Sequence, residues 1–132
     1  MGYGIGVKCT ECQYSDVLKT GIGVMYFSLH SVIDLIEVPE QRQHVLEILN
    51  NRDVQECRFE HNLFSCPRCK TVDSHFDYEI HYDQGWIESA YFKCHACHSE
   101  LERAGRPINY YRCPECGKQS LIEDKKKSKL WD

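Results

Sequence analysis

No apolar run in this sequence approaches the roughly 20 consecutive residues that a bilayer-spanning helix needs, so no membrane span is expected. The first residues, MGYGIGVKC, have no basic segment leading into an apolar core, and no secretory signal is expected either. Gly2 would suit myristoylation, but Gly6 stands where that signal wants Ser or Thr. The Gly-x-Gly of residues 4–6 lacks the third Gly, the Lys-Ser/Thr and the following helix of a phosphate loop. A surplus of positive charge is missing too. The formal charge is −4; residues 1–65 hold five Lys/Arg against nine Asp/Glu, and residues 66–132 eleven of each. These absences point to a soluble, cytoplasmic protein without a general affinity for nucleic acid.

What is abundant is cysteine, with nine in 132 residues. Eight form four Cys-x-x-Cys knuckles, Cys9/Cys12, Cys66/Cys69, Cys94/Cys97 and Cys113/Cys116, and Cys57 stands alone. In a reducing compartment, clustered cysteines bind metal rather than forming disulfides. A Cys-x-x-Cys turn aims two sulfurs at one ion, and two turns complete a tetrahedral site with zinc–sulfur distances of roughly 2.3 Å. Two zinc ions per chain are therefore expected, held by all eight paired cysteines. A chain this short has little core to spare, and metal binding adds folding energy that the core lacks. Lys8, Arg68, Lys70, Lys93, Arg112 and Lys118 flank the knuckles and can offset the charge of the thiolate centres. With eight thiolates and two divalent ions, the net charge becomes about −8.

Fifteen residues separate Cys97 from Cys113, a spacing that suits one four-cysteine site. Sequential pairing is expected on that ground: Cys9/Cys12 with Cys66/Cys69, and Cys94/Cys97 with Cys113/Cys116. The nested alternative joins Cys66/Cys69 to Cys94/Cys97. Loop entropy separates the two by only about 1 kcal/mol and leaves the choice open.

Cys66-Pro67-Arg68-Cys69 and Cys113-Pro114-Glu115-Cys116-Gly117 resemble the knuckles of zinc ribbons and rubredoxins. The resemblance implies a β-hairpin scaffold around a buried four-sulfur site, and the chain also resembles small uncharacterised bacterial zinc-ribbon proteins. It covers the knuckles and the strands beside them. Gly follows only the last knuckle; Gln13, Lys70 and His98 hold the equivalent places in the others.

The expected fold is a small metal-stabilised α+β protein, two four-cysteine zinc-ribbon-like β units with a helical-hairpin insert in the first. Residues 1–73 form the first unit, with the insert over about 28–51. Residues 74–124 form a β-hairpin plus ribbon, and 125–132 a solvated basic tail to which Leu130 and Trp131 can add a docking contact. Tyr3, Ile5 and Val7 alternate with Gly2, Gly4 and Gly6, leaving a glycine face open to a close backbone neighbour. Gly4-Ile5-Gly6-Val7 recurs at residues 21–24, as if two strands flanked the first knuckle. In the insert, Ser31 to Asp34 matches a capping box, Pro39 opens a second helix, and Asn50-Asn51 stop it. Phe76, Tyr78, Ile80 and Tyr82 alternate with His75, Asp77, Glu79 and His81, then Asp83-Gln84-Gly85 turns into a return strand over residues 86–93. A further hairpin is expected to turn near Gly105-Arg106-Pro107. Leu63-Phe64, Tyr91-Phe92 and Tyr110-Tyr111 precede three knuckles, so a strand is expected to place an aromatic beneath each metal.

Cys94-His95-Ala96-Cys97-His98 matches a c-type haem attachment sequence, but that chemistry needs a secretory context, and all four sulfurs of a zinc site are already at hand. A histidine ligand from His95 or His98 is unneeded for the same reason. The row His75, Asp77, Glu79 and His81 is expected to be the wet face of the hairpin, and Cys57 a small apolar side chain. No catalytic residue and no open metal position is expected. The expected function is a non-catalytic interaction or adaptor module that binds another protein or its own copy. The alternatives are a nucleic-acid-binding ribbon, using Tyr110, Tyr111, Arg112 and Lys118, and a dithiol redox protein.

Overall fold

A computed structural model describes residues 2–132. Strand β1 (Gly2–Cys9) pairs antiparallel with β2 (Ser15–Thr20), and the first knuckle forms the tip between them. The other edge of β1 is filled twice. Strand β7 (Leu121–Glu123) covers Val7 to Cys9, and β8 (Lys129–Trp131) covers Gly2 to Gly4. Between them the chain bulges over Gly6, whose N–H donates to Ser128 Oγ at 2.9 Å while its carbonyl accepts from the Asp124 N–H at 2.7 Å.

The glycine face is thus occupied, as its pattern predicted, and the neighbour is the C-terminal tail. A Cβ on Gly2 would meet the Trp131 ring, and one on Gly6 the Asp124 carbonyl. Of the two residues expected to add a docking contact, Trp131 does so, donating its indole N–H to Thr20 O at 3.2 Å, whereas Leu130 is 65% exposed; Lys125 to Lys127 are exposed as expected. The repeat at residues 21–24 is not the second strand. Gly21 instead bridges to His61 across the two sheets, its N–H and carbonyl bonding His61 at 2.9 and 2.8 Å.

The second sheet has the order β5 (Trp86–Ser89), β4 (Val72–Tyr82), β3 (Val54–Ser65), β6 (Glu102–Arg103), all antiparallel. Strand β4 buries Phe76, Tyr78, Ile80 and Tyr82 as its alternation requires. Asp83 and Gln84, at φ 49° and 55°, and Gly85 make the turn, and the return strand ends at Ser89. No hairpin closes at residues 105–107, because β6 pairs with β3 and the chain passes into a short 3₁₀ turn, Ile108–Tyr110.

On the aromatic face of β4 lies α1 (Pro39–Asn51), starting at Pro39 and ending at the asparagine pair. Val45 and Ile48 are fully buried there with Leu29 and Ile36; full burial of such a side chain contributes roughly 1.5–3 kcal/mol. Gln41, also buried, accepts from the Tyr78 hydroxyl at 3.0 Å and donates to Tyr91 O at 2.9 Å, which pins the helix in register. The first half of the insert is a 3₁₀ segment, His30–Leu35, and not an α-helix. Its Ser31 makes no capping box; Ser28 and Ser31 bond each other's backbone N–H at 3.1 Å instead. No helix among the described residues is long and apolar enough to cross a membrane.

Candidate metal centres

Each knuckle is built the same way. The residue two before its first cysteine is buried: Val7, Phe64, Phe92 and Tyr111. The cysteine N–H then donates to the carbonyl five residues on, from Cys9 to Tyr14, Cys66 to Thr71, Cys94 to Ser99 and Cys113 to Lys118, at 2.8–3.1 Å. In three knuckles a second bond closes the turn: the N–H of Lys70, His98 or Gly117 donates back to the first cysteine's carbonyl. Those three residues have φ of 62°, 62° and 76°. The place after the second cysteine is thus a left-handed one, which accounts for Gly in the last knuckle.

The sulfurs gather in two groups of four, Cys9, Cys12, Cys113 and Cys116, and Cys66, Cys69, Cys94 and Cys97, each lying within 4.8 Å of one another. All eight cysteines expected as ligands are in these groups. Their pairing is nested, which corrects the sequential expectation. Two pieces of strand pairing explain it. The pairing of β7 and β8 with β1 carries the last knuckle to the first. The pairing of Glu102 and Arg103 with Ser65 and Phe64 carries the third knuckle to the second. Both sheets therefore take strands from the two sides of residue 73 or across it.

Sulfur spacings are 3.6 Å for Cys9–Cys116, 3.5 Å for Cys12–Cys113, 3.4 Å for Cys66–Cys97 and 3.9 Å for Cys94–Cys69. A disulfide needs about 2.05 Å. A tetrahedron with metal–sulfur distances of roughly 2.3 Å needs sulfurs about 3.8 Å apart, so both groups fit an ion at their centre. Amide N–H groups already point at the sulfurs: Glu11 donates to Cys9 Sγ and Cys69 to Cys66 Sγ, each at 3.3 Å.

The thiols are mutually incompatible as four anions without a cation. Burial raises the Cys9 thiol, but hydrogen bonds from the Ser120 hydroxyl, the Glu11 amide and Cys12 outweigh it and bring it down to about 6. The Tyr14 amide lowers Cys12, yet burial and its bonds to Cys113, Cys9 and Cys116 push it up to about 12. In the second group Ser99 lowers Cys97 to about 6, while bonds to Cys97 and Cys66 raise Cys69 to about 12. A divalent ion held by the four sulfurs of each group would remove this conflict by supplying the compensating positive charge. Ser120, 2.9 Å from Cys9 Sγ, and Ser99 were not singled out in the sequence; their one signal is a hydroxyl within four residues of a knuckle.

Other candidates are dispersed. His95 and His98 are exposed and belong to neither sulfur group. Cys57 is half-buried beside the helix core, and burial raises its thiol. The polar row of β4 is only partly wet. Asp77 is buried, ion-paired to Arg103 and bonded by Asn62 Nδ2 at 3.2 Å; His75 stacks on Phe92 at 4.7 Å and pairs with Glu37 at 2.8 Å. Of the aromatic–basic set near the last knuckle, Tyr111 is buried and Lys118 faces Glu11 at 4.0 Å. No protein family, curated protein or solved structure matches this chain.

Proposed function

We propose that the protein is a non-catalytic interaction module in which two zinc ions hold a rigid β scaffold that presents an apolar loop to a protein partner. Zinc suits both sulfur groups, because closed four-thiolate tetrahedra are its structural form and leave no coordination position for substrate. The carrying observation is the loop between β2 and the 3₁₀ segment. On either side of Tyr26, Val24, Met25 and Phe27 are 61%, 66% and 76% exposed, while the backbone beneath them is anchored at three points. Gly21 bridges to His61, Tyr26 is wedged against His61, Phe76 and Trp131, and Leu29 is buried. Apolar tips on a fixed backbone bind with little ordering cost. The expected helical insert contributes less, since its apolar face is spent on β4.

The test is capture of partners from the protein's own cells by zinc-loaded wild type and by a Val24→Ser/Phe27→Ser variant, at low and high salt. The proposal expects a defined protein retained by wild type at both salts and lost by the variant, with two zinc ions per chain in each. Cys57→Ser, as a control, keeps both the partner and the metal count. Equal capture by the variant contradicts the assigned surface.

A further inference from the structure

Lys70, Arg106 and Tyr110 lie far apart in sequence and meet at one cleft of ≈ 280 Å³, which Arg103, Tyr111 and one carboxylate, Glu102, also line. The Lys70 ammonium is 5.9 Å and the Arg106 guanidinium 5.1 Å from the centre of the Tyr110 ring, itself 38% exposed. The ring is held from behind. Buried Tyr111 meets it edge-on, with centres 5.3 Å apart and planes at 89°, and the Tyr111 hydroxyl accepts the Arg106 backbone N–H at 3.1 Å.

Two nearby cations have carboxylate partners, Arg103 with Asp77 and Lys118 with Glu11. Among the described residues, Lys70 and Arg106 have none within 4.0 Å. Two like charges are thus gathered at one aromatic face, where each is attracted by the ring and repelled by the other. An anion between them relieves the repulsion, and a planar group on the open ring completes the contacts. Lys70 does this from a left-handed backbone position at φ 62°, where a side chain is tolerated at a cost.

We propose that this cleft binds an unpaired nucleotide, its base stacked on Tyr110 and its phosphate between Lys70 and Arg106. This goes beyond the protein-partner proposal and stands on different residues. The volume lies just below that of ligand pockets, roughly 300–1,000 Å³, which limits the occupant to about one nucleotide. A base inside a duplex has no free face for Tyr110. The charge of the metal-loaded chain, about −8, opposes a long polyanion, so binding is confined to two phosphate-directed cations.

The experiment titrates the zinc-loaded full chain with adenosine monophosphate, a labelled single-stranded hexanucleotide, its duplex and inorganic phosphate, at low and moderate salt. The proposal expects the monophosphate or the single strand to bind at least about tenfold tighter than phosphate or duplex. Equal affinity for the first two identifies a free nucleotide as the ligand, and tighter strand binding identifies nucleic acid. Strand binding should fall with salt with a log–log slope of about −1.4 for two phosphate contacts. Tyr110→Leu should weaken binding about tenfold, and Arg106→Gln should lower the slope by about 0.7. Lys70→Gly should do the same while suiting the left-handed turn, so its loss of binding cannot be assigned to misfolding. No binding of monophosphate or strand, phosphate or duplex binding equally well, or affinity unchanged in Lys70→Gly and Tyr110→Leu overturns the proposal.

Discussion

Lys70 and His98 adopt the same left-handed backbone as Gly117, and each donates the N–H that closes its knuckle. For a residue with a Cβ this conformation costs about 1–2 kcal/mol, more than the roughly 0.5–1 kcal/mol of extra chain entropy that glycine loses on folding. Lys70→Gly and His98→Gly should therefore each stabilise the metal-loaded protein by about 0.5 kcal/mol, and Gly117→Ala should destabilise it by a similar amount, about 0.5–1 kcal/mol, since its methyl would meet no other atom. Thermal midpoints at saturating zinc measure both; a loss on either glycine substitution contradicts the shared turn geometry. The eight sulfurs were legible in the sequence because Cys-x-x-Cys spacing is local. The sign of φ was not, because Lys and His carry no mark of it. Only glycine at 117 hinted at the turn that the last three knuckles share.

At the scale of elements, alternation was the reliable signal where one face is apolar. Phe76, Tyr78, Ile80 and Tyr82 sit buried in β4 as their period predicts, and Pro39 and Asn50-Asn51 mark the ends of α1. The lysines of the tail indicate solvent, and Lys125 to Lys127 are exposed, but β8 docks through backbone pairing and one indole ring, which charge does not report. The glycine face of β1 did report it, without naming the partner. Trp131 contacts Tyr26 and His61, with ring centres 5.8 and 5.2 Å away, and covers Gly2. Trp131→Ala is expected to cost roughly 2–3 kcal/mol, less than the about 3–5 kcal/mol of a fully buried aromatic. Leu130→Ala next to it should fall within about 0.5 kcal/mol, since that side chain faces water. Gly6→Ala should cost about 1–3 kcal/mol, because the new methyl meets the Asp124 carbonyl and not a side chain that can swing away. Denaturant midpoints rank the three, and equal effects of Trp131→Ala and Leu130→Ala speak against a docked tail.

For the molecule as a whole, the nested pairing makes each sulfur group a clasp across a long loop. One joins the first knuckle to the last, and the other closes the hairpin of β4 and β5 against β3. Ribbon spacing favoured the sequential order because it weighs only the residues between knuckles. The deciding contacts are strand pairings of high sequence separation, β1 with β7 and β8, which no local pattern encodes. Metal binding at such a clasp would be folding free energy, and each four-sulfur group would couple its ion to the strands that it joins. The most direct test is the metal content of the Cys9→Ser/Cys113→Ser double variant after equilibration with a competing chelator, set beside wild type. Nested four-sulfur centres predict two zinc ions in wild type and one in the variant, because both substitutions fall in the same group. Zero in the variant means one sulfur was taken from each of two sites, and two in the variant, or fewer than two in wild type, means that these sulfurs do not hold the metal; any of these results contradicts the account.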